Sequence, residues 1–320
     1  MSGNMIEIFY TNNNSTIDTS QSVDILQGMQ VKDVLWMDLF DPTGEEKRAV
    51  EDFLGTTLQS RAQAEEIESS SRFSETEDEI FINTNFLIPG PENYDMESVS
   101  FILSGNTIVS VRQVPLRSFT DIQRRILAGR KTYPTGFHIL LGILENRIDM
   151  DADMIELMSK EIEQYSKRVS LGENIGDEFV LDINQLQENT MMVRENIVDK
   201  QRVISSILKS EKTPDEINNK LSIMLQDISS LINHTNFSFE RLEYLQNTVL
   251  GLINLEQNKI MKIFTLVSLL LMPPTLITSF YGMNVELPLL GGHLDVILIS
   301  AVMLLTVLFV IFIFRRRRMM

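Results

Sequence analysis

The chain has 320 residues, 43% of them hydrophobic, and its 28 basic and 44 acidic residues give a formal net charge of −16. It contains no cysteine, which excludes disulfides, thiolate metal sites and thiol nucleophiles. The acidity argues against nucleic acid as a partner, because proteins that bind phosphate backbones present a basic face, and the length suggests about two domains.

The first 115 residues are predicted to form a cytoplasmic α/β domain. Runs rich in β-branched and aromatic residues predict strands, and Ser104-Gly105-Asn106 joins the last two of them as a hairpin. The other predicted strands cover 5–11, 34–40 and 79–88.

Two helices are expected between these strands. Thr43, with Glu46 three residues later, is typical of a capping box that begins a helix running through Phe53. A second helix is predicted over 57–70. The domain contains neither a Gly-rich phosphate loop nor a nucleophile elbow. We therefore expect no enzymatic activity and no resident cofactor.

Residues 116–258 are predicted to form a cytoplasmic region of long helices that ends in a stalk. Strand patterns nearly vanish beyond Pro115, and Pro134 and Thr213-Pro214 separate the helical patterns. Helices are predicted over 117–129, 136–171, 178–210 and 214–280. The apolar stripe of the last helix continues into a membrane-spanning segment, so about 65 residues of one helix would extend on the order of 100 Å.

Two segments near the C-terminus are predicted to cross a membrane. Residues 263–285 and 296–314 contain no charged side chain, and a helix needs about 20 such residues to span lipid. We expect helices over about 263–283 and 296–314 in a membrane domain, 259–320, with a short outer loop, 284–295. The alternative is a buried helical hairpin, which only a very large soluble protein could surround.

The distribution of charge predicts the orientation of this membrane domain. Lys259 and Lys262 precede the first span, and four arginines at 315–318 follow the second. The positive-inside rule therefore places both termini in the cytoplasm, with the protein in the inner (plasma) membrane, and the start of the chain lacks the pattern of a signal peptide. Six basic and two acidic residues lie beyond position 258, so the preceding part carries a net charge of −20.

The first span ends in the segment Tyr281-Gly282-Met283-Asn284. Together with Asn258-Lys259-Ile260-Met261-Lys262-Ile263, with Met272-Pro273, and with the basic cluster after the second span, this segment resembles the CorA family of magnesium channels. The resemblance covers the architecture of the whole chain and is close in sequence over about 255–285. It implies a homopentameric funnel for potential-driven uptake of Mg²⁺, and also of Co²⁺ and Ni²⁺.

The chemistry of Mg²⁺ agrees with a pore at this position. The ion holds its waters tightly and prefers oxygen ligands, so a ring of Asn284 amides can hydrogen-bond the hydrated ion. One two-helix hairpin cannot enclose a pore, so several copies are required. As an alternative, Asn284 caps the helix.

The resemblance also implies a conduction path along one face of the first span, with an apolar gate that blocks ions by dewetting. The implied filter is 281–284, and the implied pore-lining residues are Asn258, Met261, Phe264, Met272 and Thr275. Helix–helix packing is the alternative for this face. Pro274 departs from the single proline of the family pattern, and two adjacent prolines are expected to bend or loosen the helix.

Acidic side chains are assigned to cation attraction and regulation. Glu286 is the carboxylate next to the mouth, where copies of it would concentrate cations. The outer loop is less acidic than the family pattern, so the affinity for the transported ion is expected to differ. The resemblance implies that Glu65 and Glu66 face an acid of a neighbouring stalk, for which Asp227 is the candidate, and that Mg²⁺ bound there closes the channel. Solvated helix surface is the alternative for all three.

Two other functions remain open at the level of sequence. A zinc transporter of the same superfamily would use imidazole ligands, and of His138, His234 and His293 only the last lies at the predicted mouth. Methionine in Gly-Met-Asn favours magnesium. The second alternative is a membrane-anchored scaffold or sensor that conducts nothing.

Overall fold

The chain forms two compact units, Met1–Gln246 and Asn247–Met320. The structure, a computed structural model, describes the chain apart from residues 1–4, 13–16, 60–71, 91–92, 130, 173–175, 284–292 and 317–320. A sheet and helices build the first unit, and two apolar helical segments build the second.

A seven-stranded sheet forms the centre of the first unit. Its strands are β1 (Met5–Thr11), β2 (Ile17–Ser20), β3 (Val34–Phe40), β4 (Phe73–Glu75), β5 (Glu79–Pro89), β6 (Tyr94–Ser104) and β7 (Thr107–Arg112). Their order across the sheet is β2-β1-β3-β7-β6-β5-β4. The β3–β7 pair is parallel, and the other pairs described are antiparallel. The predicted strands and hairpin are confirmed, whereas β2 and β4 are short edge strands without a clear sequence pattern.

The sheet buries side chains on both faces, with successive residues of β3 alternating between them. On one face Met37 packs in a cluster with Leu26 and with Val50 of α1 (Gly44–Leu54). On the other, the Trp36 ring stacks on Phe9 at 5.0 Å between ring centres. Both sides of the sheet are therefore covered.

The capping box at the start of α1 is confirmed. The Glu46 amide donates to Thr43 Oγ1 at 3.2 Å, and the Thr43 amide donates to Glu46 Oε2 at 2.8 Å. Gly55, with φ of 73°, ends the helix in the left-handed conformation that glycine adopts without strain. The helix predicted over 57–70 is wrong at residues 57–59, which are not helical, and its remainder lies outside the described residues.

Long helices follow the sheet, as predicted. They are α2 (Arg117–Leu127), α3 (Gly136–Leu171), α4 (Asp177–Lys209), α5 (Asp215–Gly282) and α6 (His293–Arg316). A Cβ at Gly136 would lie 2.7 Å from the Ile108 amide nitrogen, so only glycine lets α3 begin this close to β7. The α5 helix confirms that one helix leads from the stalk into the apolar segment.

A buried polar network joins α3 and α4 to β5. Asp151 Oδ1 accepts from Arg147 Nε at 2.8 Å, and its Oδ2 accepts from Asn196 Nδ2 at 3.1 Å. Lys200 is fully buried, and its Nζ donates to the Asn85 carbonyl at 2.8 Å and lies 3.8 Å from Asp151 Oδ2. Burial lowers the pKa of Lys200 to about 8, although Asp151 opposes the shift.

Candidate ion-conduction site

Two helices of the described chain, Asp215–Gly282 and His293–Arg316, are long and apolar enough to cross a membrane. The most apolar window of each has no share buried within the chain. In water such surfaces would be costly, since apolar area of this size is normally removed from solvent. Lipid or further copies of the chain are therefore expected to cover them.

The five predicted pore-lining residues lie on one side of α5. At 3.6 residues per turn, the directions of Asn258, Met261, Phe264, Met272 and Thr275 fall within an arc of about 120°. All five are exposed in the single chain, including Met261, Phe264 and Met272 at 63%, 66% and 65%. The helix thus presents them together on a surface that the single chain leaves open.

A groove follows this side of α5 towards its C-terminal end. Its lining is Ser268, Leu271, Met272, Thr275, Leu276, Ser279, Phe280 and Met283. Thr275 Oγ1 donates to the Leu271 carbonyl at 2.8 Å, which leaves the hydroxyl lone pairs free to accept from the waters of a hydrated cation. Thr275 and Met272 therefore combine an oxygen acceptor and an apolar surface in one groove.

Both prolines lie inside α5, which stays helical through Pro273 and Pro274. Proline lacks an amide hydrogen, so the carbonyls four residues earlier lose their usual donors. The next carbonyl, that of Leu271, accepts from the Thr275 hydroxyl. The helix therefore continues through both prolines, and the expected bend or loosening stays a prediction.

The predicted filter begins at the last turn of α5. The rings of Phe280 and Tyr281 meet edge to face with their centres 5.5 Å apart. Gly282 ends the helix, and the Met283 amide donates to the Phe280 carbonyl at 3.4 Å. Asn284 and Glu286 lie outside the described residues.

Asp227, the predicted regulatory acid of α5, lies exposed in the first unit. Burial raises the pKa of Asp149 on α3, and the carboxylates of Glu145, Asp153 and Asp227 raise it further. The structure thus brings Asp227 near a row of α3 acids spaced four residues apart. Helical spacing could have revealed that row, which the sequence reasoning missed. The proposed partners of Asp227 at positions 65 and 66 lie outside the described residues.

The histidines occupy separate helices: His138 is on α3, His234 on α5 and His293 at the start of α6. His138 Nε2 lies 3.7 Å from Glu216 Oε1, and burial lowers the pKa of its imidazole. In the part of the chain that the structure describes, no three histidine or acidic side chains are grouped to hold a metal ion.

Comparison with known proteins gives a consistent assignment. Residues 31–316 match the family model of the CorA-like Mg²⁺ transporter protein. The chain is 36% identical over 259 residues to the magnesium transport protein CorA of Wolinella succinogenes, covering 79% of this chain and 80% of the relative. It is 33% identical over 298 residues to that of Campylobacter jejuni, covering 89% and 91%. The fold matches the complete structure of the CorA magnesium transporter from Methanocaldococcus jannaschii with a TM-score of 0.78 and 20% identity, covering 99% of each chain.

Proposed function

Because this chain belongs to the CorA-like Mg²⁺ transporter family, we propose that it carries Mg²⁺ across a membrane. It is a transport protein and not an enzyme. The observation that carries the proposal is the grouping of the five predicted pore-lining residues on one side of α5, where Met272 and Thr275 share a groove that includes Met283 of the Gly-Met-Asn segment. Co²⁺ and Ni²⁺ are proposed as further substrates because they too prefer octahedral hydration.

The proposed path selects and gates by different chemistry. At its mouth, neutral Asn284 amides would hydrogen-bond the first water shell, since removing those waters from Mg²⁺ is costly. Further in, Met272, Phe264 and Met261 would form apolar constrictions that exclude water when narrow. At a membrane potential of about 100 mV, a divalent cation gains about 4.6 kcal/mol on moving inward, so no nucleotide is needed to drive uptake.

A pore of this kind requires several copies. The apolar window of α5 is unburied in the single chain, and rotational symmetry would place the same face of each copy around one axis. We propose a homopentamer in the inner membrane, with both termini cytoplasmic because Lys262 and Arg315 flank the spans. The partners are then copies of the chain, divalent cations and lipid.

The Asn284→Ala variant tests the transport proposal in liposomes. We expect it to assemble normally but to lose most selective Mg²⁺ uptake, because an alanine ring offers no acceptor to the hydrated ion. Asn233→Ala, an exposed α5 asparagine outside the apolar window, is the matched control and should transport like the wild type. Unchanged flux in Asn284→Ala would instead favour a non-conducting scaffold, and Zn²⁺ uptake exceeding Mg²⁺ uptake would favour the zinc alternative.

We further propose that internal Mg²⁺ binds Glu65 and Glu66 against an acid of a neighbouring subunit, with Asp227 as the candidate. Adjacent carboxylates repel until a divalent cation bridges them. Glu65→Ala/Glu66→Ala channels should keep conducting when internal Mg²⁺ is added, whereas Glu77→Ala/Asp78→Ala channels, which lose an exposed pair in the loop after β4, should close. Wild-type inhibition in both variants would contradict the hypothesis.

A further inference from the structure

A basic groove lies between β4 and α4 in a part of the chain that is otherwise strongly acidic. It encloses about 460 Å³ and is lined by Arg72, Phe73, Arg202, Val203, Ser205, Ser206 and Lys209. These described residues supply three cations and two hydroxyls but no carboxylate, although residues 1–258 carry a net charge of −20. We call this surface the basic groove.

Helical spacing gathers one wall of the basic groove. Arg202, Ser205, Ser206 and Lys209 follow one another at i, i+3, i+4 and i+7, so they share one face of α4. Arg72 approaches from the opposite side, at the start of β4. Cationic groups thus converge on the groove from two elements that are far apart in sequence.

Arg72 is held in place while keeping donors free. Its Nε lies 2.7 Å from Asp199 Oδ1, and its Nη1 donates to Asn85 Oδ1 at 3.2 Å. Asp199 is held in turn, since its Oδ2 accepts from Thr84 Oγ1 at 2.8 Å. A guanidinium carries five N–H donors in a fixed fork, so the anchored side chain still has donors for a ligand.

The other two cations of the basic groove, Arg202 and Lys209, are exposed, and neither forms an ion pair within the described ranges of the chain. A second cavity of about 430 Å³ shares Arg72 and Arg202 with the basic groove, and Arg194 lines it together with the carboxylates of Glu195 and Asp199. The lining without a carboxylate among the described residues is therefore that of the basic groove, and an anion is expected there and not in the second cavity.

We propose that the basic groove binds a phosphate-bearing anion with more than one phosphate group. Guanidinium groups form paired hydrogen bonds with phosphate oxygens, a lysine adds a point charge, and serine hydroxyls complete the donor set. Inorganic polyphosphate and a nucleoside triphosphate share this chemistry. The Phe73 ring, half-buried in the wall, would add stacking for a base and so distinguish the two sources.

Titration calorimetry on the full-length oligomer tests the site. Sodium triphosphate and adenosine triphosphate are titrated separately, without divalent cations and with a chelator, because both ligands bind Mg²⁺. We expect the wild type to bind triphosphate, and Arg202→Gln/Lys209→Gln to bind it at least about tenfold more weakly, since each charge-assisted hydrogen bond contributes strongly. If the base stacks on the ring, Phe73→Ala should weaken the binding of adenosine triphosphate only. If the groove contacts phosphate alone, the affinity for both ligands should stay unchanged.

Arg117→Gln/Lys160→Gln is the matched control, because it removes one arginine and one lysine from exposed helix positions outside the basic groove. Its affinity for triphosphate should stay within about twofold of the wild type, as distant surface charges are screened. Equal weakening in the control would overturn the proposal, as would absence of binding by the wild type at millimolar ligand. A loss of oligomer in Arg202→Gln/Lys209→Gln without triphosphate binding by the wild type would assign the groove to a subunit contact and overturn it too.

Discussion

Lys200 is a charged side chain that the packing of α4 on β5 buries completely. Its ammonium group is stabilised there by the Asp151 carboxylate and by two backbone carbonyls, those of Asn85 and Asn196. Removing one partner of such a set generally costs more than the pair contributes, since the other charge stays buried. We therefore expect the loss of Asp151 alone to destabilise the chain more than the joint replacement of Asp151 and Lys200 by apolar residues.

The lowered pKa of Lys200 makes stability depend on pH. The folded chain releases this proton near pH 8 and the unfolded chain near 10.5, so stability gains as pH rises between those values. The Lys200→Met variant has no group that titrates at this position. Relative to it, we expect the free energy of unfolding of the wild type to rise by about 2 kcal/mol between about pH 7 and 9.5. Melting followed by fluorescence of Trp36, the one tryptophan, measures this in the sheet.

Lys160→Met provides the control for that pH series, because Lys160 is an exposed lysine of α3 paired with Glu156. Its melting temperature should follow the wild type at every pH. A difference between wild type and Lys200→Met that stays constant with pH, or that moves in favour of the variant, would show that Lys200 keeps its proton throughout the range.

At the scale of the elements, the two faces of α5 should respond differently to one substitution. Met272 lies in the groove beside Thr275, whereas Leu270 lies about 160° away around the helix. A Met272→Ser channel should pass more Mg²⁺ when internal Mg²⁺ is high. The small polar side chain would retain water in a constriction from which methionine excludes it. Leu270→Ser should change flux little. Flux into dye-loaded liposomes measures both, and a larger effect at Leu270 would place the pore on the other face.

Most elements follow from local patterns in the chain. The capping box at Thr43, the hairpin at Gly105 and the long helices depend on neighbours within a few residues, so they could be predicted. The edge strands β2 and β4 have four and three residues, too few for an alternating pattern. Their pairing partners, and not their own residues, make them strands.

At the scale of the whole molecule, the absence of cysteine makes the orientation directly testable. Single-cysteine variants can be labelled with a maleimide that does not cross membranes. Leu289→Cys, in the predicted outer loop, should react in intact cells. Ser20→Cys and Met320→Cys should react only after the membrane is permeabilised, because the arginines after the second span stay on the cytoplasmic side. Labelling of Met320→Cys in intact cells would contradict this topology.

The proposed conduction face, the two candidate spans and the anionic body all rest on properties that neighbouring residues share: periodicity, an uninterrupted apolar run and a sum of charges. Local order along the chain is enough to predict these. The parallel β3–β7 pair, the Asp38–Arg112 contact across 74 residues and the Lys200–Asn85 bond across 115 depend on which distant segments meet. The basic groove belongs to this second class. Arg72 and Arg202 are unremarkable positions in the chain, and only the packing of β4 against α4 makes their charges a single site.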